Sequence, residues 1–374
     1  MVPSPYAGDS PPAGTLHVLP LRGIPEVATG SDLAQLIQSA CAATGLALEP
    51  GDLVVVSSKV LSKAAGLWAD SRTDAVERST GRVVAERATF DGVTRVVESV
   101  AGPVMAAGGV DASNTGGSER VLMLPSDPDA VAASLLDDLL RVTGLAAGSL
   151  GVVVTDTAGR PWRAGQTDFA LGAAGVVVLD DLRGGVDADG RPLAVTARAV
   201  ADEVAAAADL VKGKASAVPV AIVRGLPALL LPVRSGSPTP SSPTERPGAG
   251  SLVRTGPGDW FHLGHLEAVR AALGVSPGSS DSAAVGIRPL HPEALADRIA
   301  RVVRLALAGP VGSTSIEVAG GLITVRAAED FDLGVVVTRL VVAGWTEDLE
   351  LTTAARQAGL VRLIVTDLAP TPVD

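Results

Sequence analysis

Leu53–Lys63 reads LVVVSSKVLSK: four apolar residues, then a polar turn that carries two lysines. A short unbroken apolar run that ends at polar residues is the pattern of a strand buried on both faces. The pattern recurs. Val104–Ala107 runs into Gly108-Gly109-Val110-Asp111-Ala112-Ser113-Asn114, and Gly151–Val154 runs into Thr155-Asp156-Thr157. Working outward, Thr15–Leu19 reads as a first strand. Ser31–Thr44 reads as a helix with Ser31 or Asp32 near its cap and Leu33, Leu36, Ile37 and Ala40 on one side. Asp129–Thr143 is a second helix and Thr196–Val211 an Ala-rich third, with strands at Val176–Leu179 and Val218–Val223. Short β-rich runs alternating with helical ones argue for an α/β class of the mixed α+β kind.

Residues 1–14 (MVPSPYAGDSPPAG) lack the basic and apolar regions of a signal peptide and read as a Pro-rich tail. Arg234–Gly250 is rich in Ser, Pro and Gly, and Ser276–Ala284 is a second, shorter break. The expected division is therefore a tail at 1–14, a main domain at 15–275, a linker at 276–286 and a small α+β domain at 287–374. In that last domain, Pro292–Ala308 is an amphipathic helix with Leu295, Ile299, Val302 and Leu305 on one face. Ile316–Val318 and Leu322–Val325 flank Gly320–Gly321, a hairpin signal. Val335–Val342, a helix near Asp348–Ala358 and Val361–Val365 complete it.

Composition narrows the function. The chain is 47% hydrophobic but only 2% aromatic, so Ala, Val, Leu and Gly must fill the core, and base-stacking surfaces are not expected. The net charge is -11 without a Lys/Arg cluster, which argues against nucleic-acid binding. No apolar run approaches the roughly 18 residues of a membrane span. The single cysteine, Cys41, permits no internal disulfide and fits a packed thiol in a reducing compartment. A cytoplasmic protein is expected.

If the polar strand ends are neighbours, two carboxylates, two lysines, hydroxyls and the Asn114 amide converge outside the carboxyl edge of the sheet, where α/β proteins gather ligands. Asp111, Asp156 and the Thr157 hydroxyl are hard oxygen donors suited to Mg²⁺ or Mn²⁺. Lys63 can neutralise phosphate, and Ser58 and Asn114 can hydrogen-bond phosphate, sugar or base. Taken singly, an Asp after a strand is more often a turn former or helix cap. Only the combination points to metal-bound nucleotide phosphates. Standard motifs are missing. Gly213-Lys214 is followed by Ala215, so there is no phosphate loop, and His262-x-x-His265 has nothing nearby to complete a zinc site. No His lies between Val18 and Phe261, which disfavours a Ser-His-Asp hydrolase there.

Five segments together resemble the coenzyme F420-0:L-glutamate ligase (gamma-glutamyl ligase) family. They are LPLRGIPEV (Leu19–Val27), VVVSSKVLSKAAG (Val54–Gly66), GGVDASN (Gly108–Asn114), VVVTDTAGRPWRAGQTDFALGAAG (Val152–Gly175) and ADEVAAAADLVKGKASAVPVAIVRG (Ala201–Gly225). RTGPGDWFHLG (Arg254–Gly264) is similar to the family's closing piece. The resemblance implies a mixed α/β fold that forms an intertwined homodimer and a GTP-dependent ligase acting on coenzyme F420-0 and L-glutamate. It implies that Ile24, Pro25, Glu26, Val27, Ser58, Lys63 and Asn114 bind GTP. It also implies that Asp111, Asp156 and Thr157 hold two divalent ions, Mg²⁺ or Mn²⁺, with K⁺ as an optional further ion. Lys63 and Asp156 are the expected catalytic pair, and Gln166, Asp168 and Glu203 are expected near the site.

Two departures stand out. Ala65 replaces the Glu that usually follows the family's SK pair, and Ala101 replaces a His that usually precedes the GVDxSN motif. They leave two other readings open: a metal-dependent phosphate-ester hydrolase using the same carboxylates, or a non-catalytic GTP-binding protein. The C-terminal part is too short for the flavin-binding nitroreductase-like domain that some relatives carry, so no FMN is expected.

Overall fold

The computed structural model of the chain describes residues 15–113, 115, 119–231 and 248–368. The expected tail, Asn114 and most of Arg234–Gly250 lie outside the described residues. In chain order the first elements are β1 (His17–Leu21), α1 (Leu33–Thr44), β2 (Leu53–Ser57), α2 (Ser58–Ala64), β3 (Trp68–Ala69), α3 (Arg72–Arg78), β4 (Thr80–Thr89) and β5 (Gly92–Ser99). Then come β6 (Val104–Ala106), β7 (Val121–Leu122), α4 (Pro128–Thr143), β8 (Gly151–Arg160), β9 (Arg163–Ala174), β10 (Asp180–Asp181), β11 (Ala197–Arg198), α5 (Val200–Lys212) and β12 (Val220–Arg224). The last are α6 (His265–Ala272), α7 (Ser280–Val285), α8 (Leu295–Leu307), β13 (Thr314–Ala319), β14 (Leu322–Ala327), α9 (Asp330–Trp345), β15 (Leu349–Gln357) and β16 (Leu360–Asp367). The architecture is mixed α/β, and no helix among the described residues is long and apolar enough to cross a membrane.

The chain forms two compact units. Unit 1 comprises Met1–Gly81 and Glu98–Thr255, and unit 2 comprises Arg82–Val97 and Gly256–Asp374. This division differs from the break expected at 276–286. Ser280–Val285 is helix α7, and the Ser279 hydroxyl at its N-cap accepts from the Ser282 N–H at 3.1 Å. Its serines are capping residues of a helix inside unit 2, not a linker.

Unit 1 is built on a five-stranded sheet of order β1-β12-β2-β8-β9. Its pairs are antiparallel except β2–β8, which is parallel. Val54, Val56, Val152, Val154 and Ile222 face one way and pack with Ile37 of α1 and Leu135 and Leu139 of α4. Val55, Val153, Ala221 and Val223 face the other way, onto Ala201, Ala205 and Ala208 of α5. Burial on both faces explains the unbroken apolar runs, and the alanines let α5 lie close on the sheet. Close approach also fixes Gly172 on β9, where a Cβ would meet the Pro128 carbonyl oxygen of α4 at 2.3 Å. Beside it, the Asp129 carboxylate accepts the N–H groups of Ala173 at 2.7 Å and Ala249 at 2.8 Å, which fastens the segment after residue 247 to the sheet. Cys41 is buried in the α1 face of this core.

Two unit 1 elements differ from their reading in the sequence. Val176–Leu179, expected as a strand, makes one isolated bridge, Val176 to Leu230. It is apolar because Val176 and Val178 pack into the α5-side core. Gly151–Val154 is only the first half of β8. The strand continues to Arg160 and turns directly into β9. The TDTAGR half runs on beyond β2 and becomes exposed at Gly159 and Arg160, so it carries no apolar signature.

Unit 2 contains an antiparallel sheet of order β13-β14-β16-β15. Ile323, Val325 and Leu363 form its core with Val302 and Leu305 of α8 and Val336 and Leu340 of α9. Gly320 and Gly321 join β13 to β14 with φ of 53° and 79°, the left-handed conformation that a two-residue hairpin turn requires. Pro292 lies ahead of α8 rather than within it. Val335–Val342 is the interior of α9. Asp348–Ala358, expected as a helix, is instead strand β15. Its Leu349 and Leu351 point inward and Glu350 and Thr352 outward, a period of two, and pairing with β16 overrides the helix propensity of Ala354 and Ala355. Within the same unit, the 82–97 hairpin is tied to α6 and α7: Ser282 donates to Glu86, and Arg87 pairs with Glu267.

Candidate active site

The last β2–β8 pair is Ser57 with Thr155, yet β8 and β9 stay paired as far as Arg160 and Arg163. The chain leaves β2 at Ser57 straight into α2. A hollow therefore opens beyond the carboxyl end of β2, beside the overhanging Asp156 and Thr157. It measures about 320 Å³, within the range of sites for small molecules. The Ile24–Val27 loop, Lys59, Lys63, Asp111, Asp156, Thr157, Asp168 and the turn after α5 line it. The strand ends read from the sequence thus do converge.

Each side chain has a definite setting. Lys63 is on α2 with its stem buried, and its ammonium pairs with Glu26, whose side chain is 75% exposed. Lys59, one turn earlier, pairs with Asp111 at 2.7 Å and also donates to the Ser113 hydroxyl and carbonyl oxygens. Asp111 in turn accepts the Ser113 N–H at 2.6 Å. Ser58 is buried and its hydroxyl donates to Asp156 Oδ1 at 3.3 Å. Successive residues of β8 point to opposite faces, so Asp156 turns toward α2 and Thr157 toward α5. The Thr157 hydroxyl donates to Asp168 Oδ1 at 2.6 Å. Asp168 Oδ2 accepts from Lys212 at 2.8 Å, and Lys212 also donates to Thr155 Oγ1 at 2.6 Å.

The electrostatics separate the three aspartates. Burial pushes the Asp156 carboxyl up to about 6, and the nearby Asp111 and Asp168 carboxylates push the same way. Burial also acts on Asp111, but hydrogen bonds from Lys59 and Ser113 bring it below the usual carboxylate range. Asp168 is likewise held low against burial by Lys212 and by the Thr157 and Thr155 hydroxyls. Asp156 is therefore a partly buried carboxylate with no cation partner among the described residues. Among the described residues no three His, Cys, Asp or Glu side chains cluster as a closed metal cage. Two carboxylates and a hydroxyl opening on one cavity do fit Mg²⁺ or Mn²⁺, which bind through one or two carboxylates and leave positions for water and phosphate.

Other expected residues lie elsewhere. Gln166 is exposed on β9 opposite Gly159, outside the cavity lining. Glu203 is in the first turn of α5 and pairs with Arg198 at 2.7 Å. Its neighbour Asp202 is the one that reaches β9, accepting the Ala170 N–H. Ala65 ends α2 and is exposed, and Ala101 is packed in the α1-side core. Neither alanine lines the cavity. Conversely, Lys212 and Lys214 both line it. The available signal was the Lys-Gly-Lys at the end of the Ala-rich helix, where Gly213 has a φ of 61°.

The F420-0:gamma-glutamyl ligase family model matches residues 23–225. Curated relatives agree. The coenzyme F420:L-glutamate ligase of Halobacterium salinarum is 39% identical over 232 residues, covering 56% of this chain and 87% of its own. Those of Methanopyrus kandleri and Archaeoglobus fulgidus are 38% and 36% identical, covering 57% and 56% of this chain and 88% of each of theirs. The match ends near Gly225, so the greater part of unit 2 lies beyond it. The chain is an enzyme of the F420-0:gamma-glutamyl ligase family.

Proposed function

We propose that the chain ligates L-glutamate to coenzyme F420-0 at the expense of GTP, giving the γ-glutamylated coenzyme, GDP and phosphate. The observation that carries this reading is the cavity beyond β2, lined both by Lys63, whose ammonium pairs with the exposed Glu26, and by the cation-poor Asp156 carboxylate. A site that presents both an anion-binding lysine and a cation-binding carboxylate suits a nucleotide triphosphate with its metal. Family membership supplies the substrates by name. The same reading carries the family's fold for unit 1 and its homodimer.

A carboxylate is a poor electrophile at neutral pH. Transfer of the GTP γ-phosphoryl group converts it to an acyl phosphate. The amine of L-glutamate attacks that carbonyl carbon, the C–O bond to phosphate breaks, and the amine proton goes to solvent. The protein's share is positioning and charge screening. The Ile24–Val27 loop would seat the nucleotide, and Lys63, released by Glu26, would take its phosphate charge. Ser58 holds Asp156 by its hydrogen bond. Asp111, Asp156 and Thr157 would hold Mg²⁺ or Mn²⁺, which supplies neutralisation of charge building on the phosphoryl oxygens.

Mass spectrometry of the deazaflavin after incubation with GTP, Mn²⁺ and L-glutamate tests the reading. Mass gains of whole glutamyl units that require GTP are expected. GTP turnover indifferent to glutamate would replace the ligase with a hydrolase.

A further inference from the structure

We propose that Asp168 and Lys212 are positioning residues that fix the Thr157 hydroxyl as an oxygen ligand; this rests on the reading of Asp111, Asp156 and Thr157 as divalent-cation ligands. Thr157 and Asp168 are direct cross-strand partners on β8 and β9. A threonine hydroxyl has one proton and two lone pairs, and unconstrained it rotates. Here its proton is committed to Asp168 Oδ1 at 2.6 Å, so its lone pairs are left for the cavity. A carboxylate behind a ligand group also makes that ligand more basic.

The carboxylate needs its own restraint. Asp168 is 5% exposed and Lys212 is 4% exposed. Lys212 reaches from the last turn of α5 and donates to Asp168 Oδ2 at 2.8 Å and to Thr155 Oγ1 at 2.6 Å. Two of its three ammonium protons are thereby engaged inside the protein, which makes it a strut more than a phosphate binder. Stability alone does not call for such an arrangement, because apolar residues of similar volume often replace a buried ion pair with no loss. What apolar residues cannot do is hold a hydroxyl rotor at a chosen angle. All three residues of the chain Lys212–Asp168–Thr157 line the cavity, and their hydrogen bonds converge on the Thr157 hydroxyl.

The test is Mn²⁺ affinity, read by electron paramagnetic resonance titration of the full chain without GTP. Wild type, Asp156→Asn, Asp168→Asn, Lys212→Met and the Asp168→Asn/Lys212→Met double variant are compared, each with a thermal melt. Asp168→Asn and Lys212→Met are each expected to weaken Mn²⁺ binding by roughly 10- to 100-fold. The double variant should be little weaker than either single one, because the two act in series. A merely structural pair would move the melting temperature and leave the affinity of the folded protein alone. Wild-type Mn²⁺ affinity in both single variants, with binding lost in Asp156→Asn, overturns this proposal and leaves the metal reading intact. Wild type that binds no Mn²⁺ overturns both. If Lys212→Met does not fold, the nearly isosteric Asp168→Asn decides the matter by itself.

Discussion

Glu26 pairs with the ammonium of Lys63, a lysine whose stem is sealed in the protein while its partner is 75% exposed. The contact occupies the charge that a nucleotide phosphate would use. On the proposed reading, GTP would compete with this carboxylate, which lines the same cavity. An exposed partner adds only about 0.2–1 kcal/mol, so the contact is weak enough to exchange. Glu26→Gln should lower the KM for GTP by roughly two- to fivefold, about 1 kcal/mol at most. Lys63→Met should raise it at least tenfold, since a charge-assisted contact is lost. Steady-state kinetics on both variants check this. A Glu26→Gln enzyme with a higher KM would mean that Glu26 holds the nucleotide rather than competes with it.

Asp156 should trade stability for function. Its carboxyl is raised to about 6 by burial and by its neighbours, so at pH 8 the folded protein carries an ionised group it disfavours. The shift corresponds to a cost of order 1–3 kcal/mol. Asp156→Asn removes the charge and keeps the shape. In a chelator it should melt above wild type by several degrees at pH 8, while divalent-metal-dependent GTP turnover is lost. Paired melts with EDTA and with Mn²⁺ separate the effects: Mn²⁺ should raise the wild-type melting temperature and leave the variant's unchanged. Unaltered turnover in Asp156→Asn would remove this residue from the metal set.

Much of unit 1 was legible because its sheet is covered on both faces. Val54–Val56 and Val152–Val154 had to be apolar throughout, so their polar ends stood out and named Ser58, Lys63, Asp156 and Thr157; Asp111 was named from Val104–Ala107, whose strand β6 lies in another sheet and buries only Met105. Legibility stopped where another force replaced the hydrophobic pattern. The second half of β8 is polar because it overhangs the sheet, and Asp168 faces Thr157 only through the register of an arm the sequence does not announce. Lys212 falls just past the Ala-rich helix read as Thr196–Val211 and drew no attention there; its burial depends on α5 lying across that arm. In unit 2, β15 was masked by Ala354 and Ala355, where local helix propensity and tertiary pairing disagree.

Unit 2 should respond to acid through Glu293. Arg301 donates to Glu293 and, on its other side, to the buried Glu347 at 2.8 Å. Hydrogen bonds from Arg301 hold the Glu293 carboxyl below its ordinary value of 4.5, although partial burial opposes them. A depressed folded-state value means that the contribution is present above 4.5 and lost as the pH falls through the lower folded value. Glu293→Gln should therefore cost about 1 kcal/mol at pH 7, the scale of one charge-assisted hydrogen bond. The difference from wild type should shrink steadily below pH 4.5. Calorimetric melts at pH 7, 5 and 3.5 check it, and a gap that widened toward acid would contradict the assigned cause.

The division of the chain makes the position of a truncation decisive. A cut after Gly274 looks harmless in the sequence, since Ser276–Ala284 resembles a linker. In unit 2, however, Val275 and Val285 belong to the same core as Leu273. Ser282 also ties α7 to Glu86 of the 82–97 hairpin. That cut would leave the hairpin and α6 without α7, α8, α9 and the four-stranded sheet, and its product should aggregate. Unit 1 can be released differently. The Val100 N–H donates to the Ser79 carbonyl at 3.0 Å, so the two points where the hairpin leaves and rejoins unit 1 are already adjacent. Replacing residues 82–97 by a short Gly-Ser turn and ending the chain after Thr255 keeps every described residue of the cavity lining. That protein should be soluble and bind GTP with wild-type affinity, measured by calorimetric titration. Soluble protein from the Gly274 cut together with aggregation of the redesigned chain would reverse the assignment of the hairpin to unit 2.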